Sequence, residues 1–275
     1  MLFDQRAFRE VSVTNRMCRH CGLVYQSPRM TDAERQAFYE VGYRTLYQGQ
    51  ESPKSEDLAV QEARAKVTLA FLEGYAKPSS PMLDIGCSAG TLLEQFKNRY
   101  KVPTFGIEPG KLYREYARSS GLVVFPSLDE LQLAHLERFS LVSMMHVLEH
   151  LPNPMDYLQN VRESLLEADG WLLVEVPNLY AHDCFEVAHL VSFSAHTLTQ
   201  LVEMAGFRVI KLHAHGLPRS RLVPLYLTLL AQPAPIKAID KPVKKELGIM
   251  LKRRLGLFRR KILEKVAPRY AWQKV

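Results

Sequence analysis

Long hydrophobic runs are missing from this 275-residue chain. Its apolar stretches fall well short of the roughly 18–20 residues that a membrane-spanning helix needs. The first residues, MLFDQRAFRE, lack the apolar core of a secretory signal, so the expected compartment is the cytoplasm. Cysteine is scarce as well. Cys18, Cys21, Cys87 and Cys184 are too few and too scattered for a disulfide framework, in keeping with a reducing environment. Repeats and low-complexity tracts are also missing. What remains is ordinary globular material, 47% hydrophobic and 24% charged, long enough to bury a full core.

The net charge of +7 is unevenly spread. Residues 234–275 hold 13 Lys and Arg against 3 Asp and Glu, so this segment carries +10 and everything before it −3. Basic character belongs to a tail, and nucleic acid is not an expected partner of the core.

The chain divides by pattern into three segments. Residues 1–54 contain a Cys-x-x-Cys, a Ser-Pro-Arg turn and a tyrosine-rich stretch, and form an N-terminal arm. Residues 55–232 open on a predicted helix over 55–75, with Ser55 as its N-cap and Gly74 near its stop. Beyond Pro81, apolar runs alternate with amphipathic stretches. The predicted strands are PMLDIG, TFGIEP, LVVF, FSLVSMM, WLLVEVP and FRVIKLHAH, and the predicted helices lie near 89–99, 110–119, 128–136, 154–168 and 195–205. This alternation predicts an α/β domain with a mainly parallel sheet and ligands beyond the carboxyl ends of its strands. Residues 233–275 are a basic helical tail.

The first strand end reads MLDIGCSAG. Glycines at such a turn let the backbone approach a ligand, and the helix that follows offers unpaired N–H groups. A dinucleotide loop would read G-x-G-x-x-G. Here Asp84, Gly86, Ser88 and Gly90 are spaced D-x-G-x-S-x-G, and no Walker-type Lys-Ser or Lys-Thr follows.

These residues resemble the first motif of the class I S-adenosylmethionine-dependent methyltransferases, an acidic residue followed by G-x-G-x-G, with Ser88 in place of the middle glycine. Further resemblances follow in order. Glu108 lies 20 residues beyond Ser88 at the end of TFGIEPG, where the family's acidic residue accepts from the ribose hydroxyls. In FPSLDEL, Ser127 and Leu128 are candidates to flank the adenine. The segment MMHVLEHLPNP resembles an H-x-x-E-H carried by many small-molecule methyltransferases, which implies that His146 lies beside the methionyl part. WLLVEVPN and HLVSFSAHTLTQLVEMAGFRVI resemble the family's later strands.

The resemblance implies a Rossmann-like fold with a seven-stranded, mainly parallel sheet and S-adenosylmethionine as cofactor. Its expected ligands are Asp84, Gly86, Cys87, Ser88, Gly90, Glu108, Ser127, Leu128 and His146. It also implies a small-molecule, sugar, glycan or lipid-linked hydroxyl as acceptor; RNA methylation and cofactor binding without catalysis are the alternatives. Removing a hydroxyl proton suits a histidine. His189 is the preferred base, with His146 and His150 as the other catalytic candidates. Tyr39, Tyr43 and Tyr47 recur every four residues, and Tyr43 is a candidate lid over the cofactor, although packing on the core explains the pattern equally.

Two features point to metal and are not expected to bind it. His146-Val-Leu-Glu149-His150 also matches the inverted zinc-peptidase pattern, but that chemistry needs a stable helix, and Pro152 and Pro154 interrupt one at once. CRHCGLVYQSPR resembles the second knuckle of a zinc ribbon in sugar-modifying methyltransferases. Structural zinc takes four ligands, and Cys18, Cys21 and His20 do not complete a set.

In the tail, Leu247, Leu251, Leu255, Phe258, Ile262 and Val266 form an apolar stripe among Lys and Arg, with Gly248 and Gly256 expected to weaken it as an isolated helix. Such a stripe suits packing on the core, a homodimer contact or an anionic membrane surface, with nucleic acid as the remaining alternative.

Overall fold

The computed structural model describes residues 1–8, 11–38, 46, 52–134, 138–235 and 242–274. Seven strands hydrogen-bond in the order β10-β11-β8-β7-β4-β5-β6. They are β4 (Met82–Ile85), β5 (Thr104–Ile107), β6 (Val123–Phe125), β7 (Phe139–Met145), β8 (Leu166–Pro177), β10 (Phe207–His215) and β11 (Tyr226–Pro233). The pairs β4–β5, β4–β7 and β5–β6 are parallel, and β10–β11 is antiparallel. The six strands predicted from apolar runs all form. The one overlooked is β11, whose YLTLLAQP follows a loop without alternation.

The described chain falls into two compact units. One holds Met30–Met145 and Ser164–Leu172, the other Met1–Arg29, His146–Glu163 and Leu173–Lys274. They cut across the expected 1–54, 55–232 and 233–275 division.

In the first, central unit, β4 is buried at all four positions, as a strand covered on both faces must be. Beyond the Gly86-to-Gly90 turn, helix Thr91–Tyr100 buries Leu92, Leu93 and Phe96. A Cβ at Gly90, where φ is +80°, would overlap Leu122 and crowd Ala117, so glycine is required for packing as well as for the turn. The first long helix runs from Ser55 to Leu72 with Lys54 as N-cap and no side-chain cap. Ser55 is therefore inside the helix rather than capping it.

In the second unit the N-terminus forms a sheet. β1 (Leu2–Phe8), β2 (Val11–Met17) and β3 (Val24–Gln26) pair antiparallel, and β3 continues onto β9 (Val191–Ser192) through Val24↔Ser192 and Tyr25↔Val191. That last pairing ties the first 29 residues to the chain near residue 191. Helix Pro154–Asn160 ends sooner than predicted and continues as a wider turn over Val161–Leu165.

The tail forms helix Ile249–Val266, N-capped by Gly248 in the left-handed region. Gly256 admits the helix to its place. A Cβ there would overlap the carbonyl oxygen of Tyr180, so the glycine is what lets the helix approach that backbone. Arg253 donates to the Leu179 carbonyl and lies over the Phe185 ring, and Arg260 donates to the Ala181 carbonyl at 2.9 Å.

Candidate functional site

The expected site residues divide between the units. Asp84, Gly86, Cys87, Ser88, Gly90, Glu108, Ser127 and Leu128 belong to the central unit, and His146, His150 and His189 to the other. Tyr43, with Tyr39 and Tyr47, lies outside the described residues.

In the central unit the loop after β4 takes left-handed conformations at Gly86, Ser88 and Gly90, with φ of +76°, +53° and +80°. Ser88 thus adopts the backbone that a glycine would take, at a steric cost on the order of 1 kcal/mol. Its N–H donates to Glu108 Oε2 at 2.9 Å, and Gly110 N–H donates to Oε1 at 2.8 Å. Glu108 is buried, and each of its two acceptor oxygens takes one of these bonds. A diol fits such an acceptor, and the curled loop offers backbone to a small polar ligand.

Asp84 lies beneath this loop. Burial raises its carboxyl to about 7, opposed by the 2.7 Å hydrogen bond from Ser143 and reinforced by Glu108. Cys87 follows Gly86 in the same loop. Its side chain is buried with Leu93, Ala117, Leu122 and Val124, and its thiol lies 4.0 Å from the Ser88 carbonyl. Ser127 caps helix Leu128–Leu133, its hydroxyl accepting from Glu130 N–H at 3.3 Å, and that lone-pair direction is taken.

In the other unit β7 ends in a bend where His146 has φ +57°, a strained value of the kind found at functional sites. The His146 N–H donates to the Glu175 carbonyl at 2.8 Å. Its ring lies between two buried carboxylates, with Nε2 3.1 Å from Glu175 Oε1 and Nδ1 3.3 Å from Glu149 Oε1, and it meets the Tyr226 ring edge-on at 5.2 Å. Glu175 in turn accepts from Thr228 Oγ1 at 2.7 Å and lies 3.3 Å from His215 Nε2. Sequence reasoning missed Glu175, although a lone acid inside the apolar run WLLVEVP is a signal, since buried carboxylates need partners.

His150 pairs Nδ1 with the Ala188 carbonyl at 2.9 Å, and its ring lies 4.9 Å from that of His189. Burial pushes His189 down to about 3, with His150 adding to the effect, and burial likewise lowers His182 to about 4. Burial alone would raise Glu149, but the His146 hydrogen bond and the His150, His146 and His189 charges outweigh it and hold the carboxyl near 2. Glu149, His182, His189 and Arg253 line a cavity of about 20 Å³, the size of one water molecule. The ligand atoms of Glu149, His150 and His189 lie within 4.8 Å of one another, close enough to be weighed as a metal site. Arg253 shares the cavity, and its fixed positive charge opposes a second cation there.

At the knuckle, Leu23 N–H points at Cys21 Sγ at 3.4 Å and Gly22 N–H donates to the Cys18 carbonyl at 3.0 Å. Backbone N–H groups, that of Cys21 first, draw the Cys18 thiol below its ordinary value, whereas burial pushes Cys21 up. Among the described residues no third ligand joins these two cysteines.

Comparison with known proteins gives this geometry a context. Residues 58–212 match a family described as a methyltransferase domain. A ubiquinone biosynthesis O-methyltransferase of Haemophilus ducreyi is 32% identical over 108 residues, 35% of this chain and 45% of that protein. One from Hahella chejuensis is 36% identical over 89 residues, 30% of this chain and 37% of that protein. The chain therefore spans less than half the length of these curated relatives. Among solved structures, an S-adenosylmethionine-dependent methyltransferase from Archaeoglobus fulgidus matches with TM-score 0.53 at 17% identity, over 69% of this chain and 97% of that one. The [4+2]-cyclase SpnF matches with TM-score 0.56 at 15% identity, over 75% and 98%. At such identities the likeness is one of fold alone, and SpnF is named for a cyclisation. The family match, by contrast, covers more than half of the sequence and includes both the left-handed loop and Glu108. The chain belongs to this methyltransferase-domain family.

Proposed function

We infer that the chain methylates a hydroxyl group of a small molecule, with a phenol, a sugar or a lipid-linked glycan as the acceptor class, in the cytoplasm. The observation that carries this reading is His146, an imidazole with a carboxylate beside each ring nitrogen, at a strained strand end. The relatives named as O-methyltransferases support a hydroxyl. The −3 balance of the residues before 234 speaks against RNA.

S-adenosylmethionine, when bound, supplies an electrophilic methyl group on a sulfonium. The chain's own part is binding, alignment and proton removal. Gly86, Ser88 and Gly90 give backbone to the methionyl end, with Asp84 beneath them. Glu108 would accept from the ribose hydroxyls, and Ser127 and Leu128 would flank the adenine. His146, its Nε2 held by Glu175, takes the acceptor's proton at Nδ1, and Glu149, 3.3 Å from Nδ1, joins Glu175 in stabilising the cation that forms. His189 is the weaker base, because an imidazole held near 3 has little pull on a hydroxyl proton at neutral pH. His150 shapes the same wall.

The test is an acceptor screen with methyl-labelled cofactor, including catechols, sugar nucleotides and cell-envelope glycans. His146→Ala is expected to lower turnover about 10²–10⁴-fold and His189→Ala far less, with cofactor affinity little changed in His189→Ala. Equal losses in the two variants, or label appearing only on nitrogen or carbon, would sink the reading.

A further inference from the structure

The helix Ile249–Val266 is pinned by one face and open on the other. Ile249 and Arg253 are buried, Gly256 lies against the Tyr180 backbone, and Arg260 reaches the Ala181 carbonyl and Asp183. At 3.6 residues per turn these four positions share one side of the helix. The opposite side carries Leu251, Leu255, Phe258, Ile262 and Val266, between 44% and 78% exposed, and Leu247 just before the helix extends it. Both borders of this stripe are cationic. Lys252 and Arg259 flank it on one side and Arg254, Lys261 and Lys265 on the other, all exposed. The helix has seven Lys and Arg and a single acid, Glu264.

A continuous exposed apolar stripe is unusual on a protein that stays free in water. Two occupants compete for it. A second copy of the chain would meet it with the same stripe, and a two-fold contact sets like borders against each other. Cations would then face cations, which costs affinity. An anionic lipid surface instead takes the apolar side chains among its acyl chains and the borders among its headgroups. Tyr270 and Trp272, both exposed just beyond the helix, are the aromatic types that favour such an interface. No helix among the described residues is long and apolar enough to cross a membrane, so the arrangement fits contact along the surface.

We propose that the stripe Leu251, Leu255, Phe258, Ile262 and Val266, with its borders of Lys and Arg, docks this methyltransferase on an anionic membrane surface. The docking is independent of the acceptor, since vesicle binding needs neither acceptor nor cofactor, and it stands or falls apart from the methyl-transfer reading.

The experiment is co-sedimentation of the full chain with extruded vesicles of phosphatidylcholine alone or with about 30% phosphatidylglycerol. The expected result is binding about tenfold tighter to the anionic vesicles, weakening as salt rises from about 0.1 M to about 0.5 M. In Leu255→Glu/Phe258→Glu binding should fall about tenfold or more, while the melting temperature and cofactor affinity hold, because both side chains are exposed. No binding to anionic vesicles, or equal binding by this variant, overturns the proposal. So does a dimer in light scattering that the same variant dissolves, since a second copy would then be the occupant.

Discussion

At the scale of single residues, the cofactor loop was legible because its chemistry is local. Asp84, Gly86, Ser88, Gly90 and Glu108 lie within 25 residues of one another, so the whole pattern that resembles the methyltransferase family is readable in one stretch. The partners of His146 were not legible, since Glu175 is 29 residues away and Tyr226 lies on the unpredicted strand β11. Ser88 leads to one prediction. With φ at +53° it holds a glycine's conformation, so Ser88→Gly should keep the N–H bond to Glu108 and raise stability by up to about 1 kcal/mol. Urea denaturation and cofactor titration check this, and a clear loss of either stability or affinity counts against it. Asp84 leads to another. Its carboxyl stands at about 7 in the fold against 3.8 ordinarily, so the protonated form is the one the fold favours. That stabilisation is full below about pH 4 and is lost as pH rises through about 7. Asp84→Asn imitates the protonated form and should gain on the wild type between pH 5 and pH 8, by up to about 4 kcal/mol. Parallel stability curves for the two proteins would refute the assignment.

At the scale of elements, strands buried on both faces were readable as short apolar runs, and helices between them as amphipathic stretches. The N-terminal sheet escaped because β1 and β2 carry charged and polar residues along LFDQRAF and VSVTNRM, and β9 is only two residues long. Gly256 shows how propensity misleads when a tertiary contact sets the residue. Alanine is the better helix former by about 1 kcal/mol, and an isolated helix would gain from it. In the folded chain the added methyl meets the Tyr180 carbonyl, and relieving that overlap requires the helix to lift. Gly256→Ala is therefore expected to destabilise the protein by about 1–3 kcal/mol, measured by thermal or chemical unfolding. A stabilised variant would mean that the helix does not hold this contact.

At the scale of the whole molecule, the charge imbalance correctly marked residues 234–275 as distinct in composition, yet composition does not say whether a segment is attached. Glu246 supplies the attachment. Buried among Tyr180, Ser194 and Lys252, it accepts from the Tyr180 hydroxyl at 2.6 Å, the Ser194 hydroxyl at 2.5 Å and Lys252 Nζ at 3.0 Å. Burial would raise its carboxyl, and these three donors, Ser194 first, keep it low instead. Ser194 is also the N-cap of helix Ala195–Met204, with Thr197 completing a capping box. The tail thus braces the segment that follows β9, and with it the neighbourhood of His189 and Tyr180. Removing residues 246–275 strips Tyr180 and Ser194 of a charged acceptor and uncovers Phe185, against which Arg253 stacks. Hydrogen bonds to a buried charge contribute about 1.5–3 kcal/mol each, and for a chain of this size a few kcal/mol corresponds to several degrees. A chain ending at residue 245 is accordingly expected to melt on the order of 5–10 °C lower than the full chain. Glu246→Gln in the full chain should reproduce only part of that loss, because Arg253, Gly256 and Arg260 still hold the helix. Scanning calorimetry separates the cases: an unchanged melting temperature in the shortened chain would make the tail an appendage, as its composition alone suggests.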